Sequence, residues 1–399
     1  MMQRPKRSNF YGLNPHKQFL QATFWVAFFV LSLSVVLYAN DPSSEEIRSL
    51  WVVRYSMISP ESIDHALETA SSLGFNNVFL QVRGRGDAYY SSQIVPRGRF
   101  LTDPDFDSLS YAVEKGHALG LKVHAWLNMF LVWSSPELPK DTTHLFLAHP
   151  DWLDESRNRK QNVEPNFVNG SGGTPRFISP AAKGVTDHFV TVLIEILDQY
   201  DVDGIHLDYV RLADLDYGYH SDSESQFVLK YGLRPDNIIK VGNRDEIVFL
   251  QSEWDRIRRE SVTDFMRTYS EVVIANKPDC ILSVAVKPNP SVAKNRYFQE
   301  WDLWLAEGLV DYVVPMNYAT EMSEFKNHLS NIEVEVQRKY NRSIIMGLAV
   351  FNQSPESAAE KLKSLSSLNY AGYSVFSWNA LQDSLESYSP FLDSMKSKR

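Results

Sequence analysis

The sequence predicts an α/β protein, a (β/α)8 TIM barrel preceded by an N-terminal signal or anchor helix. Eight short apolar runs with strand character alternate with amphipathic runs over roughly 340 residues, and such alternation builds a parallel sheet covered by helices. Several of the amphipathic runs begin with serine followed by proline, a helix-start signal. A doubly wound sheet is the alternative, but no GxGxxG turn follows the first strand.

The strands are predicted from continuous runs of branched and aromatic residues. Parallel strands are covered on both faces, so they read as apolar runs rather than as strict alternation. The predicted strands are residues 50–55, 77–82, 121–127, 202–209, 281–287, 310–316, 344–350 and 373–378.

The helices are predicted from apolar residues spaced at i, i+3, i+4 and i+7. This spacing runs through residues 63–73 and 262–273, and it gives each helix one apolar face that packs on the sheet. Ser59, Ser179 and Ser354 each stand before a proline, which predicts three helix starts with serine as the N-cap.

The N-terminus predicts export from the cytoplasm. Four basic residues precede an uncharged, apolar run at 18–40. A run of about 20 apolar residues can span a bilayer, and the basic flank keeps the N-terminus cytoplasmic. We therefore expect a signal peptide or membrane anchor within residues 1–40, with 19–39 as the span if uncleaved, and the barrel domain over 41–399 on the periplasmic or cell-surface side.

Composition argues against nucleic acid as a partner. The chain has 49 acidic and 40 basic residues, for a formal net charge of -9. Phosphate backbones are bound by clustered lysine and arginine, and no basic stripe follows the N-terminus.

Two predicted loops are long and follow the third and fourth strands, at 129–178 and 212–252. Long loops on the carboxyl side of a barrel are usually functional. Their aromatic residues suit stacking on sugar rings, although a local core is an equal alternative. These residues are Trp133, Trp152, Tyr217, Tyr219 and Phe227, and a glycine-rich hinge lies at 170–173.

Polar and aromatic residues collect at the carboxyl ends of the predicted strands, where a barrel carries its active site. In VDGIHLDYVR, residues 202–211, the alternation of a strand puts His206 and Asp208 on one face. Carboxylates, amides and flat rings are what a carbohydrate needs. The predicted substrate-binding residues are Gln81, Arg83, His124, Trp126, Asn128, His206, Tyr209, Arg211, Asn317, Tyr318 and Trp378.

No metal or other cofactor is predicted. His124 and His206 lie on different strands without a third ligand or an HExxH spacing. Taken alone, either histidine is more readily interpreted as a core residue with satisfied hydrogen bonds than as a ligand.

Five stretches of this chain resemble the glycosyl hydrolase-like family 10. They are QVRGRGDAYYSS (81–92), LKVHAWLN (121–128), AHPDWL (148–153), YDVDGIHLDYVRL (200–212) and GLVDYVVPMNY (308–318). The resemblance implies a (β/α)8 barrel that acts on an extracytoplasmic polysaccharide, with the glycan of bacterial peptidoglycan as the leading substrate. The fourth stretch also resembles the fourth-strand block of alpha-amylase-type glycosidases, in which the residue matching Asp208 is the nucleophile.

Glycoside hydrolysis usually needs a second carboxyl group. The amylase-type enzymes keep an acidic glutamate on strand five, whereas this chain has Lys287 there. Glu321, beyond the sixth strand, is the predicted acid, and Asp87, beyond the second, is the reserve. A non-catalytic glycan-binding barrel at the cell envelope is the alternative that lacks a second carboxylate.

Overall fold

The computed structural model describes residues 45–160 and 175–396. Ten strands follow in chain order, and eight of them close into one parallel barrel in the order β1-β10-β9-β8-β7-β6-β3-β2. The closed barrel confirms the predicted fold and rules out a doubly wound sheet. The strands are β1 Ile47–Val52, β2 Asn77–Arg83, β3 Lys122–Asn128, β4 Leu131–Trp133, β5 Arg176–Phe177, β6 Gly204–Asp208, β7 Ile281–Val286, β8 Tyr312–Asn317, β9 Ile345–Ala349 and β10 Gly372–Phe376.

Each barrel strand is a run that is buried on both faces. All seven residues of β2 are buried, as are all five of β6. One face packs on the helices, and the other fills the barrel with a compact cluster that includes Trp51, Phe79 and Trp126. The interior of the barrel is therefore a packed core, and the barrel is open only at its mouth.

Helices cover the outside of the barrel. The α-helices of the described residues are Pro60–Leu73, Ser108–Ala118, Leu145–Ala148, Val185–Gln199, Ser221–Tyr231, Arg244–Asn276, Pro290–Tyr297, Trp301–Ala306, Met322–Glu335, Pro355–Ser364, Trp378–Leu381 and Ser389–Lys396.

Two of the three predicted serine-proline helix starts are confirmed. Ser59 caps the helix that begins at Pro60, and Ser354 caps the one that begins at Pro355. The third is wrong: Ser179 begins a turn, in which Ala182 N–H donates to its carbonyl at 3.1 Å. The helix starts only after Gly184, whose φ of 92° requires glycine, so the chain must first turn in a left-handed conformation.

The two long connections are partly structured. The first contains an antiparallel pair, β4 with β5, and a short helix at Leu145–Ala148; its glycine-rich hinge at 170–173 lies outside the described residues. The second contains the helix Ser221–Tyr231 and the first turns of the 33-residue helix Arg244–Asn276, so this connection ends earlier than predicted.

Most aromatic residues of these connections are core residues. Tyr219 and Phe227 pack on Trp254 with ring centroids 5.2 and 5.6 Å away, in a small second core. Trp133 is buried and donates its indole N–H to the Glu137 carbonyl at 2.8 Å. Tyr217 is also buried, and Trp152 stacks on His149 at 3.9 Å. The local-core alternative therefore holds for these side chains.

The predicted signal or anchor at 19–39 lies outside the described residues and stays a prediction. Residue contacts divide the chain between Glu45 and Glu46, close to the predicted start of the barrel domain. Within 45–160 and 175–396, none of the helices combines the length and the apolar character that crossing a membrane demands.

Candidate active site

A cavity of about 670 Å³ opens at the carboxyl ends of the barrel strands. Its walls alternate polar side chains with flat rings, the pattern that sugar binding requires. The cavity volume falls within the usual range for ligand sites. The aromatic residues that line it are Trp51, Tyr55, Trp126, Tyr209, Tyr318, Phe351 and Phe376.

Asp208 is the last residue of β6 and lines this cavity, although its side chain is only 9% exposed. The backbone N–H of Tyr209 donates to Asp208 Oδ1 at 2.6 Å, and Tyr209 adopts a positive φ of 57°. Burial raises the pKa of Asp208 to about 6, against the opposing pull of that hydrogen bond, Arg211 and Lys287. At neutral pH Asp208 is therefore mostly a carboxylate, but a weakly solvated one.

Lys287 follows β7 and lines the same cavity. Ser283 of β7 pairs with His206, so alternation along the strand brings Ala285 and then Lys287 to the inner face beside and above Asp208. Burial and Arg211 lower the pKa of Lys287 to about 7, while Asp208 opposes the shift. With a pKa of about 7, Lys287 is protonated in about half of the molecules at neutral pH, and its protonated form favours the ionised form of Asp208.

Arg211 lines the cavity but does not hold Asp208 in an ion pair. Its guanidinium donates to the carbonyls of Leu212 at 3.0 Å and Ala213 at 3.3 Å, and it lies 5.1 Å over the ring of Tyr209. Among the described residues, the ion pairs do not include Asp208. Arg211 instead fixes its own loop and adds long-range positive potential.

A chain of side-chain hydrogen bonds links the ends of β2 and β3. Arg54 donates to Gln81 Oε1 at 2.9 Å, Gln81 Nε2 donates to Asn128 Oδ1 at 3.4 Å, and Asn128 Nδ2 donates to the carbonyl of Gly84 at 2.8 Å. Asn128 is paired in register with Asp208 across β3 and β6. The structure thus brings the predicted residues Gln81, Asn128 and Asp208 to one wall, together with Arg54, which sequence reasoning missed.

Tyr318 offers a free hydroxyl to the cavity. Its OH is buried and has no hydrogen-bond partner among the described residues. Burial and the charge of Asp208 raise its pKa well above the ordinary value, so the hydroxyl stays protonated and can donate.

The two predicted histidines lie below the cavity, inside the packed barrel. Trp51 donates its indole N–H to His206 Nε2 at 3.1 Å, so His206 Nδ1 carries the proton and donates to Ser283 Oγ at 2.9 Å. His206 also stacks on Phe79 at 4.0 Å. His124 contacts Asn77 Oδ1 at 2.9 Å, and burial lowers its pKa to about 4. Both are neutral core histidines that support the floor of the site.

Three further predicted binding residues lie outside the cavity. Arg83 is buried, donates to the carbonyl of Asn128 and packs on Phe189 at 4.8 Å. Trp378 is also buried and packs against His65 at 5.0 Å. Asn317 donates to the Phe325 carbonyl at 3.1 Å and accepts at Oδ1 from His328, 2.8 Å away. Asn317 therefore anchors the helix Met322–Glu335 to the strand end rather than lining the cavity.

The second carboxylate on the cavity wall is Glu324, which sequence reasoning missed. Glu321 and Glu324 are both exposed, but only Glu324 lines the cavity. Glu324 follows Glu321 by about one turn of the helix Met322–Glu335, a spacing that could have pointed to it. Asp87 accepts at Oδ1 from the backbone N–H of Arg85 at 2.8 Å, which shapes its loop. Among the described residues that line the cavity, Asp208 and Glu324 are the two carboxylates.

The described residues hold no group of three histidine, cysteine or carboxylate side chains placed to bind a metal ion. What the cavity can do follows from its own side chains: a poorly solvated carboxylate can attack or act as base, a second carboxyl can deliver a proton, and the rings and amides can orient sugars.

A barrel with a buried carboxylate at a strand end, in an aromatic-lined cavity, fits the chemistry of a glycosyl hydrolase. The chain belongs to the glycosyl hydrolase-like 10 family, which it matches over residues 46–359. The comparison confirms the predicted family. It also confirms the prediction of an enzyme of the glycosyl hydrolase class, without specifying the substrate.

Individual relatives are distant. The chain is 23% identical to the glycosyl hydrolase YngK of Bacillus subtilis over 72% of its own length and just over half, 56%, of that protein. It is 23% identical to the glycosyl hydrolase DigH of Escherichia coli K12 over 70% of this chain and 67% of the relative.

Solved structures show the same fold. The glycoside hydrolase domain of PgaB (BpsB) from Bordetella bronchiseptica superposes with a TM-score of 0.67 at 16% identity, covering 88% of this chain and 99% of that domain. The catalytic domain of a beta-amylase from Paenibacillus polymyxa superposes with a TM-score of 0.59 at 10% identity, covering 88% and 98%.

Proposed function

We propose that this protein hydrolyses glycosidic bonds in an extracytoplasmic polysaccharide, with the glycan strands of bacterial peptidoglycan as the leading substrate. The observation that carries the proposal is Asp208, a buried carboxylate at a strand end, facing a cavity lined by tryptophan and tyrosine rings. No cation pairs with this carboxylate among the described ion pairs, so an ion pair does not explain its burial.

Asp208 acts as nucleophile or, in an inverting enzyme, as the base that activates water. Its pKa of about 6 keeps it ionised at neutral pH, and Lys287 favours that state. Poor solvation makes its charge more reactive than that of an exposed carboxylate. As the bond breaks, the leaving oxygen needs a proton, and we propose Glu324 as its donor because it is the other carboxyl group on the cavity wall.

The aromatic and amide residues position the sugar. Trp126 and Tyr318 line the cavity with aromatic side chains, while Gln81 and Asn128 contribute amides near the ends of neighbouring strands. The free hydroxyl of Tyr318 donates to a sugar oxygen in the ring attacked by Asp208. The choice of a wall glycan rests on the family resemblance alone. The relatives' names support a glycosyl hydrolase and specify no glycan.

The test is digestion of purified peptidoglycan glycan and of a panel of neutral polysaccharides, read by mass spectrometry. The protein should release fragments with new reducing ends from at least one of them. Asp208→Asn should release none while keeping its affinity for the glycan.

A glycan-binding barrel without catalysis is the second candidate. The observation that favours it is Lys287, which occupies the strand end where amylase-type enzymes keep their acid. Such a protein would bind glycan with the same affinity before and after Asp208→Asn and would release no fragment in either form.

We also propose that the protein works outside the cytoplasm, held by residues 19–39 if that segment is uncleaved. The basic flank and apolar run of the N-terminus support this proposal. Cell fractionation tests it: an anchored protein stays with membranes in high salt, since screening releases only charge-held proteins.

A further inference from the structure

The cavity is positively charged although the chain is acidic. The chain has a formal net charge of -9. Four cations and two carboxylates line the cavity, which gives it a formal charge of +2 with His328 neutral. The cations are Arg54, Arg85, Arg211 and Lys287, and the carboxylates are Asp208 and Glu324. A neutral sugar requires no such excess, because aromatic faces and amides recognise it.

Arg54 is one of two arginines on the wall next to β2. It is 7% exposed and lies across Gly84, where an added Cβ would come within 2.6 Å of Arg54 Cδ. Its guanidinium donates to Gln81 Oε1 at 2.9 Å and to Tyr55 OH at 3.0 Å. A guanidinium has five N–H donors, so the side chain is fixed by neutral partners while donors remain for a ligand.

Arg85 is the second arginine, one residue beyond Gly84. Its Nε is buried without a hydrogen-bond partner, and its side chain takes part in none of the ion pairs between described residues. Asp87 Oδ1 accepts from the Arg85 backbone N–H at 2.8 Å. Burial and the charge of Arg54 lower the pKa of Arg85, while the charge of Asp87 opposes the shift without forming an ion pair. Two like charges thus share one wall without a paired carboxylate.

Holding two cations together in a partly buried place costs free energy unless an anion joins them. Planar guanidinium groups are suited to carboxylate and phosphate oxygens, which they bind through paired hydrogen bonds. We propose that Arg54 and Arg85 form a subsite for the anionic substituent of an acidic sugar, a carboxylate or a phosphate.

This subsite rests on the proposed function for its place in a glycan. Gln81, which holds Arg54, lies near the carboxyl end of β2, and only β3 separates β2 from β6 and Asp208. Two inter-strand spacings put the two walls about 10 Å apart. The acidic sugar is therefore the ring at the cleaved bond or its neighbour, and a charged ring at that point would set which bonds the protein selects.

The experiment measures monosaccharide binding by isothermal titration, so it does not depend on hydrolysis. In each of two pairs the acidic sugar carries one carboxylate that its neutral partner lacks. The pairs are N-acetylmuramic acid, which has a lactyl group, with N-acetylglucosamine, and glucuronate with glucose. N-acetylglucosamine 6-phosphate and inorganic phosphate test a phosphate source. We expect at least one acidic sugar to bind about tenfold or more tighter than its neutral partner, as charge-assisted hydrogen bonds provide.

Arg85→Gln should remove that difference and leave the neutral sugars unchanged, and Arg85→Lys should restore part of it. Arg99→Gln is the matched control, because Arg99 is a nearby exposed cation that does not line the cavity, and it should bind like the wild type. Melting temperatures establish that each variant is folded.

Equal affinities within both pairs and for the phosphorylated sugar would overturn the subsite. So would equal losses for acidic and neutral sugars in Arg85→Gln. Tighter binding of the acidic sugars by a protein that cleaves no glycan would keep the subsite and reject the hydrolase, whereas cleavage without any acid preference would do the reverse.

Discussion

Asp208→Asn should make the protein more stable at neutral pH while removing its activity. The change keeps the size of the side chain and an oxygen that can accept from the Tyr209 N–H, but it removes the charge. The wild-type carboxylate is 9% exposed and has no ion-pair partner among the described residues. Its ionised form is therefore held in the fold at a cost that the amide does not carry.

The size of the effect follows from the pKa of Asp208. Burial raises that pKa from 3.8 to about 6, which corresponds to about 3 kcal/mol of folding free energy. The folded protein binds the proton more tightly than the unfolded chain does. The wild type thus keeps this stability below about pH 4 and loses it as pH rises through about 6. The variant does not titrate there.

Denaturant unfolding of both proteins at pH 4 and pH 7.5 measures this difference. We expect the variant to be more stable by about 2 to 3 kcal/mol at pH 7.5 and to match the wild type at pH 4. If Asp208 instead holds its loop through Arg211, Asp208→Asn will be less stable than the wild type at pH 7.5. That result would refute the reasoning from burial.

Three further perturbations separate the neighbouring groups. Lys287→Met should move the acidic limb of the pH profile of kcat/KM to higher pH, because loss of the cation raises the pKa of Asp208. Lys287→Arg should return the limb to its wild-type position. An unchanged limb in Lys287→Met would contradict this coupling. Glu324→Gln should reduce turnover at least about 100-fold, and Glu321→Gln should reduce it only slightly. A larger loss in Glu321→Gln than in Glu324→Gln would make Glu321 the acid. Arg258→Met should lower the free energy of unfolding by about 3 kcal/mol, because this buried guanidinium holds the Leu215 and Tyr217 carbonyls of the second connection. Arg256→Met is the control: Arg256 is a partly exposed ion-pair residue, and its loss should cost less than about 1 kcal/mol. Equal losses in the two variants would contradict the role of Arg258.

The fold was predictable because its strands are buried on both faces. Continuous apolar runs such as β2 stand out in the sequence, and helical spacing marks what lies between them. The helix after Ser179 was misplaced because serine and proline also begin turns, and only the left-handed conformation of Gly184 shows where the helix starts.

The site was predictable where strand ends alone decide it. Gln81, Trp126, Asn128, Asp208 and Tyr318 all follow from that rule, and all line the cavity. The strand-end rule does not give the depth of a residue in the barrel, because successive inward residues of one strand lie in different layers. In β6, Asp208 therefore reaches the mouth of the barrel, while His206, two residues before it, lies in the core.

Other site residues depend on parts of the chain that carry no strand-end signal. Arg54 lies in the turn after β1, and Glu324 lies one helical turn inside a helix. Lys287 does follow a strand, but in the sequence analysis it was noted only because it stands where amylase-type enzymes have a glutamate. Its role appears only when register places it beside Asp208, since the effect of one charge on another depends on distance and burial.

Product analysis by mass spectrometry tests the central claim most directly. Purified peptidoglycan glycan and neutral polysaccharides are incubated with the wild type and with Asp208→Asn, each shown to be folded and to bind glycan. We predict fragments with new reducing ends from the wild type and a loss of several orders of magnitude in the variant. Fragment release at comparable rates by both proteins, or by neither from any glycan, would contradict a hydrolase that acts through Asp208.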